Sequence, residues 1–437
     1  MRLWAIACLL AAVAPPARAQ EDDEPMPAGS PVPSMPAPPP ATLEPAPPAQ
    51  TTLEETKAAP SSSSVWTGAG RLGLYTDSDQ TSVYRALAAM NGAFAHWNLA
   101  ASVAVDVVSS SSVDVRSSPG LSKVDVTTSA SGRTSTSGGT MSDRRIAATL
   151  GSGWHDANGH AVSFTTSYAN ERDYNSINGG VNGAFDVFER LTTLMAGFNY
   201  TYNWIASVLD PTFARQMYEL GWSGGIAQVL ARNDALRLRY DGAAAFGYQA
   251  SPYRNVRFGD WTTSVGVGQR ITFLGTLGSA DGLPETVPQE RLRHAGVLEW
   301  VHSFTDGLAL YTQARLGLDT WGIESATGSA ELRAATRGWR FRLGYRFYAQ
   351  SGADFYRPKY TMAPDQYAYY TSDKELSRET GHIASLGISR VLKQPHYAGD
   401  THVLLDVSGH FLYYEYPDFV LLPSRMSGFV EVGLTWE

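Results

Sequence analysis

Hydrophobic and polar residues alternate one by one along most of this chain. The clearest stretch runs from Trp339 to Phe347. Trp339, Phe341, Leu343, Tyr345 and Phe347 share one parity, and Arg340, Arg342, Gly344 and Arg346 share the other. A period of two puts such sets on opposite faces of a β-strand. Leu236, Leu238 and Tyr240 alternate in the same way with Arg237, Arg239 and Asp241. Leu316 and Leu318 alternate with Arg315, Gly317 and Asp319, and Val430, Val432, Leu434 and Trp436 with Glu431, Gly433 and Thr435. About sixteen segments of this kind follow one another, near 67–76, 82–92, 97–107, 143–154, 160–171, 176–186, 191–204, 215–229, 234–248, 290–303, 307–320, 325–335, 338–350, 376–391, 401–414 and 425–436. Most are longer than the roughly 5–6 residues of an ordinary sheet strand and reach the roughly 9–11 that a tilted membrane-crossing strand needs. The pattern predicts an all-β fold: an antiparallel, transmembrane, up-and-down β-barrel of about 16 strands, within a range of 12–16.

The connections agree. Short turn-like links (Asp156-Ala157-Asn158-Gly159, Ala231-Arg232-Asn233-Asp234, Thr305-Asp306-Gly307, Thr336-Arg337-Gly338) alternate with links that include the long loops 108–142, 249–289 and 351–375. Short turns at one end and long loops at the other are the asymmetry of an outer-membrane barrel, with the turns on the periplasmic side. No proline after residue 64 falls inside a proposed strand, as a closed ladder without free edges demands. Trp66, Tyr75, Trp97, Trp154, Tyr168, Trp204, Trp300, Trp321, Trp339, Tyr348, Tyr414 and Trp436 lie near segment ends, where an interfacial girdle is expected.

The N-terminus reads differently. Arg2, the apolar run Leu3 to Val13 and Ala17-Arg18-Ala19 have the form of a secretory signal peptide, residues 1–19. Residues 20–64 hold 12 of the chain's 24 prolines, mixed with Ala, Ser and acids. They offer little to bury and are expected to be a disordered periplasmic linker ahead of a barrel domain, 65–437. Its plain reading is a spacer; its sharper one is contact with peptidoglycan.

Composition narrows the function. The single cysteine, Cys8, lies in the signal peptide, so neither a disulfide framework nor a Cys-built metal centre is expected. A net charge of −8 argues against nucleic acid. Charged residues are only 17% of the chain, against about 25% in soluble domains. No G-x-S-x-G elbow, H-E-x-x-H or Walker loop is present. No catalytic residue, cofactor or metal is expected, and the chain is read as no enzyme. Asp77, Asp79, Asp106 and Asp114 could hold Ca²⁺, with solvated loop acids as the plainer account, and His155 and His160 read as turn residues. The chemistry that stands out is arginine. Arg237, Arg239, Arg315, Arg340, Arg342 and Arg346, with Asp241, Glu299 and Asp319 nearby, fall on the parity expected to face the lumen. There they either select anionic solutes or pair with the acids and fill the interior.

Several motifs carry a resemblance. Tyr75-Thr76-Asp77-Ser78-Asp79, Val105-Asp106-Val107-Val108-Ser109-Ser110 with Ser112-Val113-Asp114-Val115, Gly247-Tyr248-Gln249-Ala250-Ser251-Pro252-Tyr253-Arg254 and Glu290-Arg291-Leu292-Arg293-His294-Ala295 resemble an uncharacterised bacterial outer-membrane β-barrel family, domain of unknown function 3570. The resemblance implies the fold and no activity. Trp436-Glu437 departs from the usual aromatic barrel ending, and Glu431 stands where a glycine is expected. The sequence therefore predicts a monomeric outer-membrane barrel that acts as a pore or transporter for small solutes. Its expected partners are membrane lipid, lipopolysaccharide and the barrel-assembly machinery. The rival is a non-conducting structural or surface-recognition barrel, and a secreted soluble β-rich protein stands third.

Overall fold

The computed structural model describes residues 65–117, 141–264, 271–279, 281–393 and 402–436. The expected signal peptide, the linker and most of loop 108–142 lie outside the described residues, as does the side chain of Asp114. Sixteen antiparallel strands close into one barrel: β1 (Val65–Asp77), β2 (Thr81–Phe94), β3 (Trp97–Ser110), β4 (Met141–His155), β5 (Ala161–Asn170), β6 (Tyr174–Val187), β7 (Thr192–Ala206), β8 (Ala214–Ala231), β9 (Asp234–Gly247), then β14 (Glu290–Thr305), β15 (Leu308–Asp319), β16 (Glu324–Thr336), β17 (Trp339–Gln350), β18 (Glu379–Lys393), β19 (Val403–Glu415) and β20 (Ser424–Trp436). The intervening short strands β10 (Asn255–Val256), β11 (Thr262–Ser264), β12 (Thr272–Leu274) and β13 (Leu283–Pro284) form two small hairpin-like pairs within one loop. Every neighbour in the wall is the next barrel strand in sequence, and β1 pairs with β20 to close it. Each of the sixteen expected segments is a barrel strand, with ends within three residues of those read from the alternation.

The period of two sets the wall's two faces. In β17, Phe341, Leu343, Tyr345 and Phe347 are exposed outward, while Arg340, Arg342, Gly344 and Arg346 lie inside. Large apolar side chains point outward all around the barrel, among them Leu72, Leu150, Phe198, Leu238, Leu316 and Leu386. With its backbone polar groups consumed by the closed ladder, such a surface belongs in lipid. Trp66, Trp97, Trp154, Trp339 and Trp436 stand exposed at the turn end, and Tyr168 and Trp204 at the loop end. Four expected girdle residues belong elsewhere: Tyr414 falls on the inward parity of β19 and packs against the cap. Tyr75 and Tyr348 fall on the inward parity of β1 and β17, and Trp321 is buried beneath the loops.

The two barrel ends differ as the sequence implies. At one end the links are short, such as 95–96, 188–191 and 232–233. At the link between β16 and β17, Arg337 and Gly338 both take positive φ, 44° and 78°. This is the backbone that a two-residue hairpin needs in order to match strand twist. At the other end, the described parts of 248–289, with 351–378 and 416–423, fold over the barrel mouth, and three buried clusters hold them there. The first joins Ala250, Val287, Trp321, Ile323, Tyr356 and Leu376; the second joins Val113, Trp261, Ile271, Phe273, Tyr416 and Phe419; the third joins Val256, Phe258 and Tyr360. Loops that read as polar links in sequence thus form a folded cap with a hydrophobic interior.

Candidate functional site

Inside the wall, charged side chains pair across strands rather than standing as a free row of cations. On β8, β9, β14 and β15, Arg237 pairs with Glu299, Arg293 with Glu219, and Asp241 bridges Arg239 and Arg315 at 2.9 Å each. Arg291 Nε donates to Asp319 at 2.7 Å. This half of the barrel brings together Arg237, Arg239, Arg315, Asp241, Glu299 and Asp319, the grouping expected from sequence. Arg340, Arg342 and Arg346 sit apart, on β17, beyond β16. There Arg342 reaches Asp406 of β19 at 3.2 Å, Ser389 donates to the same carboxylate, and Arg71 of β1 pairs with Glu431 of β20 at 2.7 Å. The sequence reading missed Asp406, Glu219, Arg71 and Arg293 as members of this set. Their signal was present, because each has the inward parity of its strand. By contrast the inner faces of β5 and β7 carry Ser163, Thr165, Ser167, Asn199, Thr201 and Asn203, all uncharged.

The lumen-side groups nearer the turn end are open to water. The side chains of Arg342, Arg333 and Glu331 keep 28%, 23% and 31% of their full exposure. Those next to the cap are enclosed: Arg291, Arg293 and Glu219 are buried.

The cap is fastened by buried charge. Arg254 Nη1 lies 3.1 Å from Glu285 and 2.9 Å from Asp373. Glu285 also accepts from Ser251 N at 2.6 Å and Thr371 Oγ1 at 2.7 Å. Arg254 and Glu285 come from the 248–289 loop, and Thr371 and Asp373 from 351–378, so this network ties the two together. Burial raises Glu285 above the ordinary carboxylate range. Glu375, beside Asp373, Lys374, Arg254 and Arg425, is pushed up to about 7, chiefly by burial and then by the Asp373 charge, against the three cations. A carboxyl raised by folding binds its proton more tightly in the folded cap. Its contribution is therefore full below the ordinary Glu pKa and fades as pH rises through about 7. Acrylamide quenching of the buried cap tryptophans Trp261 and Trp321 should accordingly rise between about pH 5 and 8 and flatten in Glu375→Gln. An unchanged profile in that variant would refute this role.

The acids singled out from sequence are not gathered into one site. Asp77 accepts from Thr81 N and Tyr75, Asp79 accepts from Val113 N near Arg116, and Asp106 pairs with Arg85 at 2.8 Å. Asp79 and Asp106 are buried rather than solvated. His155 and His160 flank their turn, where His160 N donates to Asp156. His302 Nδ1 lies 2.8 Å from Asp234, but the position opposite it on β15 is Leu310. A different trio converges: Asp143 of β4 with Glu171 and Asp173 of the β5–β6 turn, each bringing a carboxylate oxygen within 4.8 Å of the others. Burial and neighbouring carboxylates push Glu171 up to about 7 and Asp173 to about 6, with Arg145 opposing the first and the Tyr253 hydroxyl the second.

A closed sixteen-stranded wall, apolar outside and ion-paired inside, defines a membrane β-barrel of the outer-membrane type. The family model that matches residues 214–399 is described as a protein of unknown function, DUF3570, the family its motifs resemble. That match spans β8 to the end of β18, so the motifs at 75–79 and 105–115 lie outside it. No curated protein matches. Among solved structures, a mutant of the ferric enterobactin receptor PfeA from Pseudomonas aeruginosa is 12% identical, with 80% of this chain and 53% of that one covered and a TM-score of 0.39. The chain thus spans about half the length of that receptor. A bacterial polysaccharide outer membrane secretin is 8% identical over 85% of this chain and 98% of its own, TM-score 0.42. A deletion mutant of the monoaromatic hydrocarbon channel TodX is 11% identical over 86% and 90%, TM-score 0.39. Similarities this low say nothing of what the present barrel passes or binds.

Proposed function

We propose that the chain is a capped outer-membrane pore for small polar solutes, with its short turns toward the periplasm and its folded loops outside. The observation that supports this reading most is the partial exposure of Glu331, Arg333 and Arg342 to the interior space along the inner wall. Charged groups held at lipid depth and open to water require a hydrated lumen. Because most arginines are paired, the reading favours a lumen with two characters over a uniform anion filter. An ionic wall that runs from β8 through β20 to β1 meets a hydroxyl and amide wall on β5–β7.

Arg340→Ala with Arg342→Ala leaves Asp406 without its Arg342 partner, so reversal potentials under a salt gradient should move toward cation preference. An unchanged reversal potential would remove the arginines from the conduction path. A second reading, a non-conducting surface-recognition barrel, is favoured by the cap's three hydrophobic clusters. Planar-bilayer conductance of the purified full chain separates the two, since only the first passes ions.

A further inference from the structure

We propose that Asp143, Glu171 and Asp173 form a binding site for one divalent cation of the calcium or magnesium type, set in the loop-end rim of the barrel. The geometry fits: two oxygens bound to one Ca²⁺ at about 2.4 Å can stand no more than about 4.8 Å apart, and the three carboxylates meet that limit pairwise. The arginines nearby do not enclose the trio. Arg145 reaches Glu171 at 3.5 Å and is itself partly open to water, while Arg144 and Arg172 are exposed. Three closely set carboxylates therefore share one ion-paired guanidinium, Arg145, with Arg144 and Arg172 acting on Asp143 and Asp173 only from the exposed side.

A further observation points the same way. Asp173 is only 5% exposed, and its Oδ1 is buried with no hydrogen-bond donor. Its Oδ2 is taken by the Tyr253 hydroxyl, so Oδ1 is the oxygen left for a ligand. A buried carboxylate oxygen without a donor costs free energy that a hard cation recovers. All ligands on offer are oxygens, which suits Ca²⁺ or Mg²⁺ over softer metals. The site also has a purpose in the fold. Tyr253 belongs to the cap loop and also accepts from Val208 N, so a cation on Asp173 would clamp β4, the β5–β6 turn and the cap together.

The test uses the refolded full chain in detergent and Tb³⁺ as the probe, because Tyr253 is placed to sensitise its luminescence. The expected result is one saturable Tb³⁺ signal that Ca²⁺ displaces. Affinity should fall at least about tenfold in Asp143→Asn and in Asp173→Asn. Arg145→Met, which removes the competing cation, should bind more tightly. The SDS gel shift on heating checks that each variant is folded. No saturable signal in the unmutated chain, or unchanged affinity in folded Asp173→Asn, would overturn the site and leave protonation as the way the trio is neutralised.

Discussion

Replacing Arg254 with methionine should unfasten the cap while leaving the barrel standing. The substitution keeps bulk but removes the one guanidinium shared by Glu285 and Asp373, both buried. Two uncompensated carboxylates then face one another, and breaking a buried pair from one side costs about 3–5 kcal/mol. Arg254, Glu285, Thr371 and Asp373 all lie in loops, so the heat-dependent gel shift should persist. The cap should respond instead: quenching of Trp261 and Trp321 rises, and bilayer conductance increases if the lumen is the path. Adding Glu285→Gln and Asp373→Asn should restore much of the protection, because neutral amides no longer need the lost cation. Unchanged quenching in the single variant would show that the hydrophobic clusters alone hold the cap.

The second large effect concerns the wall. Leu343 is 60% exposed on the outward face near the middle of β17 and stands beside Leu332 and Leu386. Arginine there should cost about 2–4 kcal/mol at the bilayer midplane. Folded yield into lipid vesicles, read by the unboiled gel band, should drop sharply. Arginine at the adjacent inward position 344 should be better tolerated, since Gly344 lies on the ionic wall, although Ser385 must give way. Equal losses at 343 and 344 would contradict the assignment of the two faces.

The wall was legible in the sequence because a strand in a barrel answers to a local rule. Trp339 to Phe347 announces its two faces without reference to any other residue, and each strand does so separately. Partner choice is not local. Arg342 finds Asp406 two strands away, across β18, and Arg71 finds Glu431 across the closure, both fixed by register rather than by spacing. Glu431 also shows why the terminal pattern departs from the usual one: a glycine there could not answer Arg71. The cap was illegible for a related reason. Trp321, Leu376 and the far-apart Ala250 and Val287 come from three different connections with no shared period, and each stands in a largely polar stretch. The acid trio was missed because Asp143 reads as a strand end, and Glu171 and Asp173 as ordinary turn acids.

The closing seam has a consequence for how the protein is made. β1 and β20 pair along ten positions, Trp436 lies so close over Gly68 that a Cβ there would meet its ring at 2.0 Å, and the Arg71–Glu431 pair spans 360 residues of chain. Contact order this high has to be reached before any edge is sealed, and loop-closure entropy must be met before the seam gives anything back. Nothing short of the sixteenth strand is edge-free, so the emerging chain must be kept soluble, with its outward leucines shielded, until β20 arrives. The last strand, not the first, therefore ends the chain's exposure to pairing with other chains.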